Sequence, residues 1–163
     1  MNSTRSKTTR KAPRFDSLEQ EVFLNLWRTF DRLRAHEDEL FQEFGLTSQQ
    51  YNVLRLLRAA QPDMLQTLTL AERLVSRAPD ITRMLDKLED RGLILRDRPP
   101  ENRRIVQIGI TEAGIILLDQ IAEPLQECHS QQLGHMSATE LRHLVQLLRA
   151  AREPHESESS SWH

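Results

Sequence analysis

Thr82, Arg83 and Lys87 lie within a stretch whose apolar residues, Ile81, Met84, Leu85 and Leu88, recur at helical spacing. The Arg83 guanidinium can donate as a fork to guanine O6 and N7. Thr82 can reach a phosphate or a thymine methyl, and Lys87 can neutralise a phosphate. Arg77, just ahead of them, is placed for backbone contact. Pro79 and Asp80 share the leading end, where an acidic group either accepts from a cytosine amino group or favours a helix N-terminus. Further on, Arg103 and Arg104 follow Pro99 and Pro100 in a stiffened turn. Guanidinium groups enter narrow minor grooves, where the potential is most negative. This set of side chains suits double-stranded DNA.

Such side chains need a short helix and a hairpin to carry them, and the surrounding pattern supplies both. A helix over 79–91 has Pro79 at its first position, where a missing N–H costs nothing, and Gly92 as its stop. Pro79, Arg83, Asp86 and Asp90 centre its exposed face, and its N-terminal residues are the ones placed to read bases. Two short alternating segments follow, Leu93 to Arg98 and Ile105 to Ile110. Upstream, Thr69 and Glu72 form a capping-box pattern that opens a short helix through Leu74 and Val75. A helix, a second helix with a basic edge and an arginine-tipped hairpin, in that order, make a winged helix-turn-helix.

The flanks read as helices. From Ser17 to about Phe44, Val22, Phe23, Leu26, Trp27, Phe30 and Leu33 recur at helical spacing, and Gly45 ends the run. Thr47 and Gln50 form a second capping box, with Leu46 stapling onto Tyr51, and this helix ends near Ala60 before Gln61-Pro62-Asp63. Thr111 caps a long helix that Pro124 should kink or shorten, and Ser137 with Glu140 opens the last one. The expected fold class is mainly α with a small β-hairpin wing, the winged domain flanked by N- and C-terminal dimerisation helices. The division is a basic flexible arm over 1–14, a regulator domain over 15–152 and a flexible tail over 153–163. Within the domain the DNA-binding lobe spans about 47–110, and the dimerisation helices about 17–44 and 111–152.

Composition narrows the function classes. With 38% hydrophobic and 28% charged residues the chain suits a soluble domain, and a net charge of −2 means that DNA affinity must come from local clustering. Between Arg73 and Arg104 nine Lys/Arg face six Asp/Glu, a local excess of three positive charges. No segment reaches the roughly 20 apolar residues of a membrane span, and Met1 to Arg14 is basic without an apolar run, so a cytoplasmic location is expected. The single Cys128 rules out an intrachain disulfide framework and, beside Glu127 and His129, reads as an inert thiol. His129, His135 and His143 lack paired metal-ligand spacing, so neither metal nor cofactor is expected. There is no Gly-rich phosphate loop, nucleophile elbow or HExxH motif, which leaves no enzyme signature. A helical adaptor of the same fold without DNA binding is the alternative, and a cofactor-free enzyme the more distant one.

The run Ile81-Thr82-Arg83-Met84-Leu85-Asp86-Lys87-Leu88-Glu89, then Arg91-Gly92-Leu93-Ile94, Asn102-Arg103-Arg104 and Ile110-Thr111-Glu112-Ala113-Gly114, resembles the MarR family of bacterial winged-helix regulators over roughly Phe15 to Arg152. Where the family has Asp-x-Arg at the wing tip, this chain has Asn102-Arg103-Arg104, so an acidic residue is replaced by a neutral one. The resemblance implies a brace between Asp86 and Arg104, and an obligate homodimer with interlocked N- and C-terminal helices. A two-fold dimer would address an inverted repeat with half-sites about one DNA turn apart. It further implies a repressor that answers to a small aromatic or phenolic effector held between the dimer helices and the lobe, with Trp27, His36 and Tyr51 nearest.

Overall fold

The structure, a computed structural model, describes residues 15–75, 80–100, 102 and 105–156. It divides into two compact units at Ala35/His36. The first is the opening part of helix α1 (Leu18–Glu43), whose start is closed by Ser17: its hydroxyl accepts from the Gln20 amide at 3.1 Å. Between Asp16 and Ala35 every side chain but Leu33 is exposed. Phe23 and Trp27 meet edge to face with centroids 6.2 Å apart, and the Arg34 guanidinium sits 5.8 Å from the Phe30 ring centre.

The second unit holds the end of α1 and then α2 (Ser48–Ala60), β1 (Leu65–Gln66), α3 (Thr67–Arg73), α4 (Ile81–Asp90), β2 (Ile94–Asp97), β3 (Gln107–Ile110), α5 (Glu112–Leu133) and α6 (Ala138–Arg152), with a 3-10 turn over Glu153–His155. The expected capping boxes at Thr47/Gln50 and Ser137/Glu140 both form, and Thr111 caps α5 through the Gly114 amide. The three strands make one antiparallel sheet in the order β1-β3-β2, with Leu65 opposite Ile108 and Ile94 opposite Ile110. Ile94, Ile108 and Ile110 join Val53, Leu54 and Leu57 of α2, Leu70 of α3, Leu85 and Leu88 of α4, and Leu118 and Ile121 of α5 in one core. Each such side chain contributes about 1.5–3 kcal/mol on leaving water. The core fixes α4 and the hairpin on one support.

Several expectations are corrected. Helix α3 begins at Thr67 after Gln66, not at a Thr69 cap, because the two-residue strand β1 hands the chain directly into the helix. Helix α4 begins at Ile81, not at Pro79: Asp80, at φ −132° and ψ 64°, is non-helical and accepts the Arg83 amide. Strand β1 has no counterpart among the elements expected from the sequence, since two residues show no alternation. Pro124 does not shorten α5, which continues to Leu133. Each hairpin strand spans four residues rather than six.

Candidate nucleic-acid interface

Helix α4 shows two faces. Leu85 and Leu88 are buried, Ile81 and Met84 half-buried, and Thr82, Arg83, Asp86, Lys87 and Asp90 exposed. The amphipathic stripe thus roots the helix and leaves Arg83 and Lys87 on the solvent side with their donors available to a groove. Asp80 stands at the leading end as the N-cap, with Oδ1 3.1 Å from the Arg83 amide. A carboxylate there complements the helix dipole. Arg77, Pro79, Arg103 and Arg104 lie outside the described residues, as do residues 1–14 and 157–163.

The first turn of α2 lies beside α4. A cleft of about 320 Å³ is lined by Thr47, Gln49, Gln50, Asp80, Arg83, Met84 and Lys87. A neighbouring one of about 490 Å³ runs from Gln42, Gly45 and Leu46 to Lys87, Asp90 and Arg91. Gln49 is therefore close to the two basic side chains of the exposed face. The sequence carried a signal for it, the Thr47 capping box, which fixes where the first turn of the preceding helix begins. Only folding shows that this turn adjoins α4.

Arg96, on β2, organises the other side of α4. Its Nη1 lies 2.6 Å from Asp86 Oδ1 and 3.2 Å from Glu89 Oε2, and its Nη2 donates to the Thr82 carbonyl at 3.3 Å. Asp86 is thus contacted by Arg96, a residue not singled out from the sequence, while Arg104, its expected brace partner, lies outside the described residues. Asp86 stands on a helix and Arg96 on a strand, so no single periodicity relates them. Asn102, where the acidic wing residue of the family would stand, donates its amide to the Pro99 carbonyl at 3.0 Å, and its own carbonyl accepts from Ile105 at 3.1 Å.

The three effector candidates occupy different settings. Trp27 is exposed in the first unit, lining a cleft with Leu24, Arg28 and Asp31. In the second unit His36 is exposed, whereas Tyr51 is half-buried and stacks on Phe41 with ring centres 4.6 Å apart. Burial pushes the Tyr51 hydroxyl above its ordinary pKa, against the pull of Arg55 and Arg58. Burial also raises the Cys128 thiol, helped by Glu37, which favours the unreactive protonated form. Glu37 itself pairs with His129 at 2.7 Å. Among the described residues no cluster could hold a metal ion, and no helix is long and apolar enough to cross a membrane.

Residues 46–106, which run from the start of α2 through α4 and β2 to just before β3, match the model of the MarR family. A MarR transcription factor of known structure from Planctomyces limnophilus is 54% identical, the match covering 84% of this chain and 99% of that one with a TM-score of 0.67. The uncharacterized HTH-type transcriptional regulator YkoM of Bacillus subtilis is 30% identical over 142 residues, 84% of this chain and 90% of its own length. The fold is also that of S. aureus MepR solved with DNA, at 24% identity and a TM-score of 0.72, covering 81% of this chain and 97% of that one. The family-model match and the identities to the P. limnophilus protein and YkoM place this chain in the MarR family, a family of winged-helix transcription regulators rather than enzymes.

Proposed function

We propose that this chain is a sequence-specific, ligand-responsive repressor that binds double-stranded DNA in the cytoplasm as a homodimer on an inverted repeat. The observation that carries the DNA reading is the division of α4. Leu85 and Leu88 are sealed in the core, while Thr82, Arg83 and Lys87 project together into solvent. A fork donor in the first turn of such a helix and a point charge one turn further along the same exposed side suit a base edge and a phosphate. Arg77, Pro79, Asp80, Arg103 and Arg104 complete the proposed contact set. The solved MepR–DNA complex supports the same reading by likeness of fold.

The dimer reading rests on uncovered apolar surface. Helix α6 has no buried residue, although Leu141, Leu144, Val145 and Leu148 share one face, and Val145 is 47% exposed. In α1, Phe23, Trp27 and Phe30 are each about 60% exposed. Short helices are marginal without a covered apolar face, and a second copy would provide the cover. On this reading 17–44 and 111–152 are the dimerisation helices, 47–110 the DNA lobe, 1–14 a basic arm and 153–163 a tail. The effector, a small aromatic or phenolic molecule near Trp27, His36 or Tyr51, and the repressing sign rest on the family resemblance.

The deciding experiment is fluorescence anisotropy with the duplex upstream of its own gene against a scrambled duplex, at several salt concentrations, with sedimentation of the free protein alongside. Preferential binding that weakens steeply with salt, by a dimer, supports the proposal. A monomeric Leu148→Glu variant that loses the specific complex supports the dimer part. A folded protein that binds neither duplex at low salt overturns it in favour of the adaptor.

A further inference from the structure

Helices α1 and α4 end in the same way. Gly45 at φ +66° and Gly92 at φ +67° turn the chain. The amide after each glycine reaches back five residues, Leu46 to the Phe41 carbonyl at 2.9 Å and Leu93 to that of Leu88 at 3.0 Å. Each glycine amide reaches back three, to Gln42 and to Glu89. Phe41, Leu46, Leu88 and Leu93, the residues at the ends of these two caps, are all buried. This arrangement satisfies carbonyls that a helix end would otherwise leave open.

The two ends are joined by one side chain. Arg91, which closes α4, donates through Nη1 to the Gly45 carbonyl at 2.6 Å and through Nη2 to the Phe44 carbonyl at 3.2 Å. Its guanidinium lies against the Gly45 backbone, where an added Cβ would stand 3.5 Å from Nη2. The last turn of α1 contains no basic residue of its own. The cation that a helix C-terminus favours is supplied instead from α4.

We infer that Arg91 is a positioning residue for DNA recognition: its fork fixes the angle at which α4 leaves the α1–α2 corner. The inference rests on the DNA-binding reading above. One donor would leave a pivot, whereas two parallel donors on adjacent carbonyls set an orientation, which a lysine ammonium does not. Arg96 ties α4 to β2 from its first turn onward, through Thr82, Asp86 and Glu89, and Arg91 ties the residue that closes it to the end of α1. Pinned at both ends, α4 presents Thr82, Arg83 and Lys87 in one direction. A two-fold dimer built so accepts one half-site separation and discriminates against its neighbours.

The test compares wild type with Arg91→Met, which keeps length and packing, and Arg91→Lys, which keeps charge. The first arm, amide hydrogen exchange, needs no DNA. Arg91→Met is expected to quicken exchange at Gly45 and Leu46, distant in sequence, by roughly tenfold, the weight of a charged hydrogen bond. The second arm measures anisotropy on inverted repeats whose half-site separation varies by one or two base pairs. Arg91→Met is expected to weaken binding at the best separation roughly tenfold and to flatten the preference, with the salt slope unchanged. Arg91→Lys should retain part of the affinity but not the preference. Unchanged exchange in Arg91→Met overturns the bracket. An unchanged preference, or a uniform loss with a salt slope lower by about one, overturns the positioning role and makes Arg91 a bystander or a phosphate contact. If the wild type itself binds no duplex, the DNA reading fails, and the exchange arm still decides whether Arg91 fixes the corner.

Discussion

Arg96 and Asp86 join the hairpin to the exposed face of α4 at 2.6 Å, although the Arg96 side chain is only 19% exposed and that of Asp86 51%. The pair is therefore partly desolvated on the cationic side, and Glu89 and the Thr82 carbonyl engage further donors of the same guanidinium. Removing either partner leaves the other poorly satisfied. Arg96→Ala and Asp86→Ala should each lower unfolding stability by about 1–2 kcal/mol, more than a typical surface pair. In a double-mutant cycle by urea unfolding the two should couple by at least about 0.5 kcal/mol. Strict additivity would show that the contact contributes nothing.

Arg83 and Lys87 should separate by their DNA phenotypes. Arg83→Ala should cost about 1–3 kcal/mol on the cognate duplex and relax base preference at one position of each half-site. Lys87→Ala should weaken cognate and scrambled duplexes alike and reduce the salt slope by about one. Anisotropy on single-base variants of the operator distinguishes them. Identical losses in both variants would mean that Arg83 reads phosphate only.

Two glycines predict different costs. An added Cβ at Gly114 would collide with the Leu93 carbonyl oxygen and come within 2.7 Å of Ile110 Cγ1, so the start of α5 would have to leave the sheet. At Gly92 nothing lies within 4 Å and only the φ of +67° resists a side chain. Gly114→Ala should lose about 1–3 kcal/mol or more, and Gly92→Ala about 1 kcal/mol. Thermal unfolding of both would refute the argument if their order were reversed.

The start of α6 gives a pH dependence. The Ser137 amide, 2.8 Å from Glu140 Oε2, and then the Ser137 hydroxyl hold the Glu140 carboxyl below the ordinary carboxylate range, with His135 adding a smaller push. A folded-state pKa that is depressed gives stability present above the unfolded value and lost as pH falls through the folded one. Glu140→Gln, which can keep the cap geometry without the charge, should melt below wild type at neutral pH. The gap should close in acid, as pH falls below the ordinary carboxylate range and the depressed folded-state titration is passed. An equal gap at both pH values would place the effect in geometry rather than charge.

Local chemistry made much of this protein legible in its residues. The Thr47, Thr111 and Ser137 caps, the Gly45 and Gly92 stops and the Ile81-Met84-Leu85-Leu88 stripe depend on contacts within a turn or two, so spacing alone specifies them. The order of helices and hairpin follows from the same signals. Thr69 misled because its pattern fits a cap, while the pairing of Leu65 with Ile108, more than forty residues away, decides where α3 starts.

What tertiary structure decided are the ties between elements. Arg96 reaches Asp86, Gln49 comes beside Arg83 and Lys87, and Arg91 spans to Phe44 and Gly45. None of these pairs has a periodic spacing, because each forms only after the apolar stripes have packed around Leu54, Leu88 and Ile108. Sequence by itself determined which faces of the helices are apolar and which are charged. The packed core determined which charged side chains hold those faces in place, since a charge finds its partner by proximity in space and carries no period of its own.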